Sequence, residues 1–268
     1  MYYTLLTGAT GGLGMAFAHL LAKQNEPLVL TATNAQKLEQ LQNQLKEAYN
    51  ANVEIYACDL TNEDNRTQLF AYMQQKQMML HRVILNAGCI LEGDFLSHSI
   101  ETNLQAVRVN VESAVHIAQL ALSSRNAQEP FYFLTISSLA AAYPMPHMGI
   151  YAATKSFLTS FMLSLGEELK HQQVHSTVFM PSGIYTTQAM VEAIRSQGWA
   201  GKKSSLTAEQ AASLAWEAHK KGKKLVIPKS FNRFLYKASK FASAPTLAQV
   251  VGKRWAKSQK QRKGEHYE

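Results

Sequence analysis

The chain has 268 residues, of which 46% are hydrophobic and 17% charged, and this composition excludes a disordered chain. No apolar run approaches the roughly 20 residues of a membrane span, and we expect no signal peptide, because a strand is predicted almost from Met1. The two cysteines, Cys58 and Cys89, form no motif. This excludes a disulfide scaffold and favours a cytoplasmic protein with reduced thiols.

The charge is distributed unevenly along the chain. The formal net charge is +8, yet residues 1–217 carry −4 and residues 218–268 carry +12, with no acidic residue between Glu217 and Glu265. The C-terminal segment therefore presents a strongly basic surface to any partner.

The first predicted elements are a strand, a glycine-rich turn and a helix. The strand is Tyr2–Thr7, the turn contains Gly8, Gly11, Gly12 and Gly14, and apolar residues recur at helical spacing from Met15 to Gln24. Glycines let the backbone approach a pyrophosphate, and a helix N-terminus offers free N–H groups and positive dipole charge. A glycine cluster also forms simple tight turns, but its place between the first strand and the first helix favours a dinucleotide site.

The second predicted strand, Leu28–Thr33, ends where a dinucleotide-binding fold usually reads the cofactor's ribose. An Asp or Glu there would bind the 2′-hydroxyl and repel a 2′-phosphate, but this chain has Thr33 and Asn34. The missing carboxylate favours NADP, with NAD as the alternative, since no arginine stands there either. Thr33 and Asn34 either donate to the phosphate or cap the helix around Lys37–Tyr49.

Two further strands end in small or polar residues. Val53–Cys58 is followed by Asp59 and Leu60, and residues 61–64 cap the next helix. Arg82–Leu85 is followed by Asn86, Ala87 and Gly88, a turn of small residues that leaves room for a flat ligand.

A long helix is predicted from Ser99 to Arg125. It contains Asn110 among valines. Such a residue either packs as an ordinary polar side chain or disturbs the helix ladder and binds water near Lys155.

Three residues in the middle of the chain suggest proton transfer. Tyr151 and Lys155 are four apart in a stretch without Gly or Pro, so they share one face of a helix. An ammonium group one turn away is expected to lower the pKa of the phenol from about 10 toward the working range. Ser138 follows the predicted strand Phe131–Ile136, at the strand edge where open α/β sheets bind ligands. Many amphipathic helices contain Tyr-x-x-x-Lys, so this motif alone decides nothing.

The remaining predicted elements complete the sheet. His175–Met180 is a sixth strand, Thr207–Gln210 is a capping box, and Lys224–Ile227 is a seventh strand. His171 and His175 are four apart but straddle a helix end and a strand start. We predict no metal site there, since no third ligand supports one.

Alternating strands and helices predict an α/β fold. We expect a single doubly wound, Rossmann-type domain over residues 1–228, with a mostly parallel seven-stranded sheet. Residues 229–268 form a basic, amphipathic, helical C-terminal extension.

With these motifs in order, the sequence closely resembles the short-chain dehydrogenase/reductase superfamily in its single-domain form. Four signatures stand in register over residues 1–227: Thr7-Gly8-x-x-x-Gly12-x-Gly14, Asn86-Ala87-Gly88, Ser138, and Tyr151-x-x-x-Lys155. The resemblance implies an NAD(P)-dependent oxidoreductase in which Tyr151 is the general acid or base. It further implies that Lys155 lowers the pKa of Tyr151 and holds the nicotinamide ribose, that Ser138 orients the substrate oxygen, and that Asn110 holds a water.

The resemblance also implies a set of cofactor-binding residues, with Asp59 at the adenine. These residues are Gly8, Thr10, Gly11, Gly12, Leu13, Gly14, Thr33, Asn34, Asp59, Leu60, Asn86, Ala87, Gly88, Tyr151, Lys155, Pro181, Ser182, Gly183, Ile184 and Thr186. Two departures from the family stand out. Pro181-Ser182 replaces the usual Pro-Gly, and no basic residue occupies Thr10, Gly11 or Thr33.

The substrate expected from the sequence is a small apolar carbonyl or alcohol. Apolar residues predict the pocket wall, although the same residues would also pack a lid without substrate contact. They are Met145, Met148, Tyr185, Met190, Val191, Ile194 and Trp199. The alternative function is a non-catalytic nucleotide-binding scaffold or sensor on the same fold.

Besides the substrate, a second copy of the chain is predicted as a partner. We expect a homodimer or homotetramer that pairs through the Asn110 helix and the apolar stripe of Phe157, Phe161 and Leu165. No nucleic acid is expected, because no recognition motif accompanies the basic segment.

The basic segment itself has two interpretations. Phe231, Phe234, Leu235, Ala238 and Phe241 recur at helical spacing, Pro245 breaks the pattern, and a second run places Leu247, Val250, Val251 and Trp255 on one face. Lysines and arginines accompany both runs, among them Arg254, Lys257, Lys260, Arg262 and Lys263. Either these apolar faces close over the pocket or a neighbouring subunit, or residues 229–268 contact an anionic membrane or acidic partner, making the protein peripheral to the membrane.

Overall fold

Strands and helices alternate along the chain in a computed structural model, which describes residues 1–264 and the side chains of residues 1–256. The strands are Tyr2–Thr7 (β1), Leu28–Ala32 (β2), Val53–Ala57 (β3), Met79–Leu85 (β4), Phe131–Ile136 (β5), Val174–Phe179 (β6), Ile184–Tyr185 (β7), Leu206–Thr207 (β8) and Leu225–Val226 (β9). The helices are Gly12–Ala22 (α1), Ala35–Tyr49 (α2), Glu63–Gln75 (α3), Ile100–Val107 (α4), Ser113–Ser124 (α5), Gly149–Glu168 (α6), Gln188–Ser196 (α7), Gly198–Ser204 (α8), Ala208–Lys220 (α9), Ser230–Ser239 (α10) and Ala244–Gly264 (α11).

Seven strands form one sheet in the order β3-β2-β1-β4-β5-β6-β9. All neighbouring pairs are parallel, which confirms the predicted doubly wound α/β fold. The chain order reverses between β1 and β4, and the crevice at such a switch point is where open parallel sheets bind ligands.

Two hydrophobic cores cover the two faces of the sheet. Successive residues of a strand point to opposite faces, so Leu6 joins one core and Leu5 the other. The first core contains Phe17 of α1 and Trp216 of α9. The second contains Leu158 of α6 together with residues of α3 and α5. Both faces of the sheet are thus covered, as its apolar strands require.

The predicted helix 99–125 is in fact two helices joined by a π-turn. Between α4 and α5, Arg108–Glu112 adopts π geometry, and Asn110 lies inside that turn. Its carboxamide bonds to the backbone of Cys89 at both ends. Of the two alternatives for Asn110, the one in which it disturbs the helix ladder therefore describes the structure.

Other differences from the sequence analysis are small. The second strand stops at Ala32 because Asn34 already caps α2. The seventh strand is only Leu225–Val226. The two-residue strands β7 and β8 pair in parallel as a separate small sheet, and such short segments carry no periodicity that a sequence could reveal.

The C-terminal segment forms two helices, as its periodicity predicts. Pro245 does not simply break the pattern, because it is the second residue of α11, where a missing backbone N–H costs little. Among the described helices, none is long and apolar enough to cross a membrane. The side chains of Lys257, Lys260, Arg262 and Lys263 lie outside the described residues.

Candidate active site

The glycine-rich turn brings bare backbone to the switch point of the sheet. Gly8 has a φ of +65°, and a Cβ on it would lie 2.9 Å from the Cα of Ala87, so only glycine fits without strain. A Cβ on Gly14 would lie 2.1 Å from the carbonyl oxygen of Gly8. The turn therefore packs tightly under the start of α1 and leaves the free N–H groups of that helix facing the crevice.

Thr7 and Asn86 join this turn to the end of β4. The hydroxyl of Thr7 accepts hydrogen bonds from the backbone N–H groups of Asn86 at 3.1 Å and Ala87 at 3.0 Å. In return, the amide of Asn86 donates to the carbonyls of Thr7 at 3.0 Å and Gly8 at 3.2 Å. These four bonds fix the two turns that a dinucleotide would contact.

The proton-transfer residues meet at the carboxyl end of β5. Ser138 lies just beyond that strand, and Tyr151 and Lys155 project from the first turns of α6. The Lys155 ammonium donates to the carbonyl of Ile136 at 2.9 Å. No role was predicted for Ser137 from the sequence, but its buried hydroxyl donates to the Lys155 carbonyl at 2.9 Å and thereby ties α6 to β5.

The pKa shifts at this site differ from the expectation. Burial raises the pKa of Tyr151, and a hydrogen bond with Ser138 only partly opposes that shift. Lys155 does not offset the effect of burial in this geometry, because its Nζ lies 5.9 Å from the centre of the phenol ring and donates to a carbonyl; its lowering of the Tyr151 pKa stays a prediction. Lys155 is itself only 4% exposed, and burial lowers its pKa from 10.5 to about 8.

Asn110 is buried and acts through its neighbours. Its Oδ1 accepts from the N–H of Cys89 at 2.9 Å, and its Nδ2 donates to the Cys89 carbonyl at 3.0 Å and to Thr154 Oγ1 at 3.1 Å. Thr154 in turn donates to the carbonyl of Tyr151 at 2.8 Å. Asn110 therefore links the turn after β4 to the Tyr151 helix, and its role in holding a water stays a prediction.

A single cavity of about 1070 Å³ joins the glycine turn to Tyr151. Of the implied cofactor residues, all but Asn34 line it; they are Gly8, Thr10, Gly11, Gly12, Leu13, Gly14, Thr33, Asp59, Leu60, Asn86, Ala87, Gly88, Tyr151, Lys155, Pro181, Ser182, Gly183, Ile184 and Thr186. Asn34 instead caps α2, where its Oδ1 accepts from the N–H of Lys37 at 2.8 Å. Its capping alternative is therefore the one observed.

Asp59 is held at the wall of the cavity by its neighbour. Its Oδ1 accepts from the N–H of Thr61 at 2.9 Å and from the Thr61 hydroxyl at 2.8 Å. This leaves the second carboxylate oxygen of Asp59 available to a ligand at the end of β3.

The far end of the cavity is only partly what the sequence predicted. Met145, Met148 and Met190 line it, as expected. Among the described side chains, Tyr185, Val191, Ile194 and Trp199 do not: Ile194 is buried beneath Gly183 and Gly201, and Trp199 is 68% exposed. Tyr143, Val251, Arg254 and Trp255 line the cavity instead.

Helix α11 closes this end of the cavity through Trp255. The indole stacks on the imidazole of His147, with ring centres 3.8 Å apart and planes 9° from parallel. His147 in turn bonds through Nδ1 to a carboxylate oxygen of Asp94 at 2.7 Å. Of the second amphipathic run, Val251 and Trp255 therefore close over the pocket, whereas Val250 is 60% exposed.

Metal binding finds no support in the described part of the chain. No group of three His, Cys, Asp or Glu side chains there could hold an ion. His171 lies in the short helix Lys170–Gln172, while His175 lies in β6 and stacks on Tyr132.

Comparison with known proteins identifies the family. Residues 3–198 match the short chain dehydrogenase family, a span that contains the glycine turn, Ser138, Tyr151 and Lys155. The chain belongs to this family. Membership confirms the resemblance drawn from the motifs.

Relatives of the chain include, by name, a hydroxysteroid dehydrogenase and an acyl-CoA reductase. Human 17-beta-hydroxysteroid dehydrogenase type 3 is 29% identical over 189 residues, which cover 69% of this chain and 59% of that protein. Mouse very-long-chain 3-oxoacyl-CoA reductase is 27% identical over 197 residues, covering 71% and 62%. The chain thus spans about three fifths of the length of these relatives.

Solved structures share the fold at low identity. A 7beta-hydroxysteroid dehydrogenase superposes with a TM-score of 0.84 at 21% identity, covering 94% of this chain and 96% of that one. A short-chain dehydrogenase from Sphingobium yanoikuyae in complex with NADPH has a TM-score of 0.76 at 20% identity, with 90% and 93% covered.

Proposed function

We propose that the protein is an NADP-preferring oxidoreductase that interconverts an apolar carbonyl compound and its alcohol. The observation that carries this proposal is the shared cavity: the glycine turn, Ser138, Tyr151 and Lys155 all face one space of about 1070 Å³. A cofactor and a bulky substrate would meet there at the carboxyl edge of the sheet.

The residues of the cavity fit a dinucleotide. A Cβ on Gly8 or Gly14 would collide with backbone atoms, so the turn keeps the close approach that a pyrophosphate needs. Asp59 would bind the adenosine end, and Lys155 the nicotinamide ribose. The bound nicotinamide would supply or accept the hydride.

Tyr151 would handle the proton. Burial raises its pKa, so the phenol is protonated at neutral pH and can donate to a carbonyl oxygen in the reductive direction. Ser138, which shares a hydrogen bond with Tyr151, would hold that oxygen in place. The Lys155 ammonium, with a pKa of about 8, would favour the phenolate that is left behind.

The residues just after β2 support a preference for NADP. No carboxylate stands at Thr33 or Asn34 to repel a 2′-phosphate, and Thr33 is exposed at the cavity wall. Its hydroxyl would donate to the phosphate. Since Asn34 gives its carboxamide oxygen to the helix cap, only its N–H₂ group remains for the same purpose.

The far end of the cavity supports a bulky, apolar substrate. Its walls include Met145, Met148, Met190, Val251 and Trp255. Methionines adapt to irregular apolar shapes, and a flat indole suits a fused-ring or long-chain body. The steroid dehydrogenase and acyl-CoA reductase among the relatives agree with this class.

Incubation with NADPH or NADH and a panel of ketones and aldehydes of increasing size tests the proposal. We expect NADPH oxidation with bulky apolar ketones and a several-fold lower dissociation constant for NADPH than for NADH. Tyr151→Phe should keep cofactor affinity and lose about 10²- to 10⁴-fold in kcat, because only the proton donor is removed. Cofactor binding without turnover of any carbonyl would contradict the proposal and favour a nucleotide-binding scaffold.

We further propose that the active protein is a cytoplasmic homo-oligomer. Exposed apolar side chains on α4 and α6, such as Leu104 and Phe157, form a face that a two-fold axis would cover. Phe157 stacks on Phe161 at 5.6 Å, and this contact holds the two rings together on α6. A mass of about 30 kDa by light scattering at micromolar concentration would contradict the oligomer.

A further inference from the structure

Helix α10 exposes part of its apolar side, although Phe231, Leu235 and Tyr236 are half-buried. Phe234 is 65% exposed, and Phe241, seven residues later and just beyond the helix, is 92% exposed. On the opposite side, the polar residues Asn232 and Ser239 are buried, Asn232 completely. A surface helix of a globular protein normally has the reverse arrangement, with its apolar stripe facing the core.

One hydrogen bond on the buried side fixes this orientation. The amide of Asn232 donates to the carbonyl of Ser204, at the end of α8, at 2.8 Å. The hydroxyl of Ser239 donates to the carbonyl of Tyr236 at 2.8 Å, and Tyr236 packs at the edge of the second core. Rotating α10 to bury its phenylalanines would leave the buried carbonyl of Ser204 without this partner, which costs free energy.

Helix α8 extends the same surface with an aromatic and a cation. Trp199 meets Phe231, the residue one helical turn before Phe234, edge to face at 5.8 Å. The Lys203 ammonium lies 4.5 Å from the centre of the Trp199 ring and 5.5 Å from that of Phe231. We call Trp199, Lys203, Phe231, Phe234, Lys237, Ala238 and Phe241 the outward face.

The surroundings of the outward face are basic. Arg233, Lys237 and Lys240 of the α10 segment are exposed around the phenylalanines, and residues 218–268 together carry +12. Two copies of this face placed against each other would oppose these cations, which disfavours self-association there. A negatively charged surface with an apolar interior complements both features.

We propose that the outward face docks the protein on a bilayer that carries anionic phospholipids. Phe234, Phe241 and Trp199 enter the boundary between headgroups and acyl chains, while the lysines and Arg233 contact lipid phosphates. The proposed contact is peripheral and reversible, since only side chains of the outward face and its neighbouring cations enter the lipid surface.

The docking helix leads directly into the wall of the candidate active site. Only four residues, 240–243, separate α10 from α11, and α11 places Val251 and Trp255 in the cavity. An apolar substrate dissolved in the bilayer would thus reach the cavity without crossing water. This consequence rests on the proposed function, whereas the docking itself does not.

Co-sedimentation of the full chain with vesicles tests the docking without reference to turnover. We expect binding to phosphatidylcholine vesicles that contain phosphatidylglycerol at low salt, and weaker binding at high salt or with phosphatidylcholine alone. Phe241→Ser should lower the partition coefficient about tenfold. Lys237→Gln and Lys240→Gln should each lower it about fivefold at low salt.

Leu96→Ser is the matched control, because Leu96 is also 92% exposed but lies far from α10 in sequence. Circular dichroism and ketone reduction in solution should be unchanged in all four variants. Absence of vesicle binding at low salt, or equal losses for Leu96→Ser and Phe241→Ser, would overturn the proposal. So would a dimer in solution that Phe241→Ser dissociates, since the outward face would then be a subunit interface.

Discussion

Replacing Lys155 with methionine should stabilise the folded protein while abolishing its activity. Burial lowers the pKa of Lys155 from 10.5 to about 8, and each pKa unit corresponds to about 1.4 kcal/mol. Keeping the ammonium charged in the fold at pH 7 therefore costs about 3 kcal/mol. Methionine leaves the Ile136 carbonyl without its donor, which costs about 1 kcal/mol. We expect Lys155→Met to raise the free energy of unfolding by about 2 kcal/mol at pH 7.

The stability of the wild-type protein should depend on pH through the same group. Between pH 8 and 10.5 the unfolded wild-type chain binds a proton at Lys155 that the folded chain has released, so wild-type stability rises with pH in this window. The free energy of unfolding of Lys155→Met should exceed that of wild type at pH 7, and this excess should fall by about 2 kcal/mol from pH 7 to pH 10.

Urea unfolding followed by tryptophan fluorescence measures both quantities. Lys37→Met, which replaces an exposed lysine on α2, is the matched control for the loss of one lysine. A Lys155→Met variant that is less stable than wild type at pH 7 would refute the prediction. A difference in free energy of unfolding between the two proteins that is the same at pH 7 and pH 10 would also refute it.

Single contacts elsewhere in the chain carry four further predictions. Gly14→Ala should lose at least about 2 kcal/mol of stability, since its Cβ meets the Gly8 carbonyl at 2.1 Å; Gly149→Ala, with no atom within 4 Å, should lose none in the same urea titration. Burial lowers the pKa of His219 from 6.5 to about 3, so wild-type stability falls as pH drops below 6.5. Between pH 7 and pH 4.5, the free energy of unfolding of His219→Gln should fall by about 3 kcal/mol less than that of wild type. An equal fall in both proteins would contradict the assignment of this pH dependence to His219. Trp255→Ala should raise KM for bulky ketones about tenfold and leave small ketones unaffected, whereas Val250→Ala, on the exposed side of α11, should change neither. Thr33→Asp should shift the ratio of NADH to NADPH affinity at least tenfold toward NADH, because the new carboxylate repels the 2′-phosphate. Asn43→Asp, on the exposed side of α2, is the control. An unchanged ratio in Thr33→Asp, or the same shift in Asn43→Asp, would show that Thr33 does not contact the 2′-phosphate.

Motifs that bind through the backbone were predictable because their residue types are dictated by local geometry. Gly8 and Gly14 sit where a Cβ would strike backbone, so the sequence alone reveals the turn. Tyr151 and Lys155 are likewise placed by the helical repeat. The order of helices and strands predicted the doubly wound sheet in the same way, since each element reveals its own period.

Properties that depend on how residues far apart in the sequence bury a side chain, such as its pKa, were not predictable. Helical spacing places Lys155 near Tyr151, but the direction of the Tyr151 pKa shift depends on how deeply both groups are buried and on the Ile136 carbonyl. Asn34 was assigned to the cofactor because its position in the strand order matched, although its carboxamide caps α2. A local pattern cannot decide which of two available partners a side chain takes.

In the C-terminal segment, the sequence likewise does not decide which side of each helix is buried. The two amphipathic runs of this segment both combine apolar residues at helical spacing with lysines and arginines, yet they pack in opposite ways. In α11, Trp255 finds an aromatic partner in His147 and turns toward the cavity. In α10, Asn232 donates to the Ser204 carbonyl, and Phe234 consequently lies on the exposed side of the helix. Since both partners lie far away along the chain, the sequence leaves the two orientations open. Under the proposed docking, α10 would lie on the membrane while α11 lines the cavity, so the substrate pocket would be held next to the surface that supplies its apolar substrate.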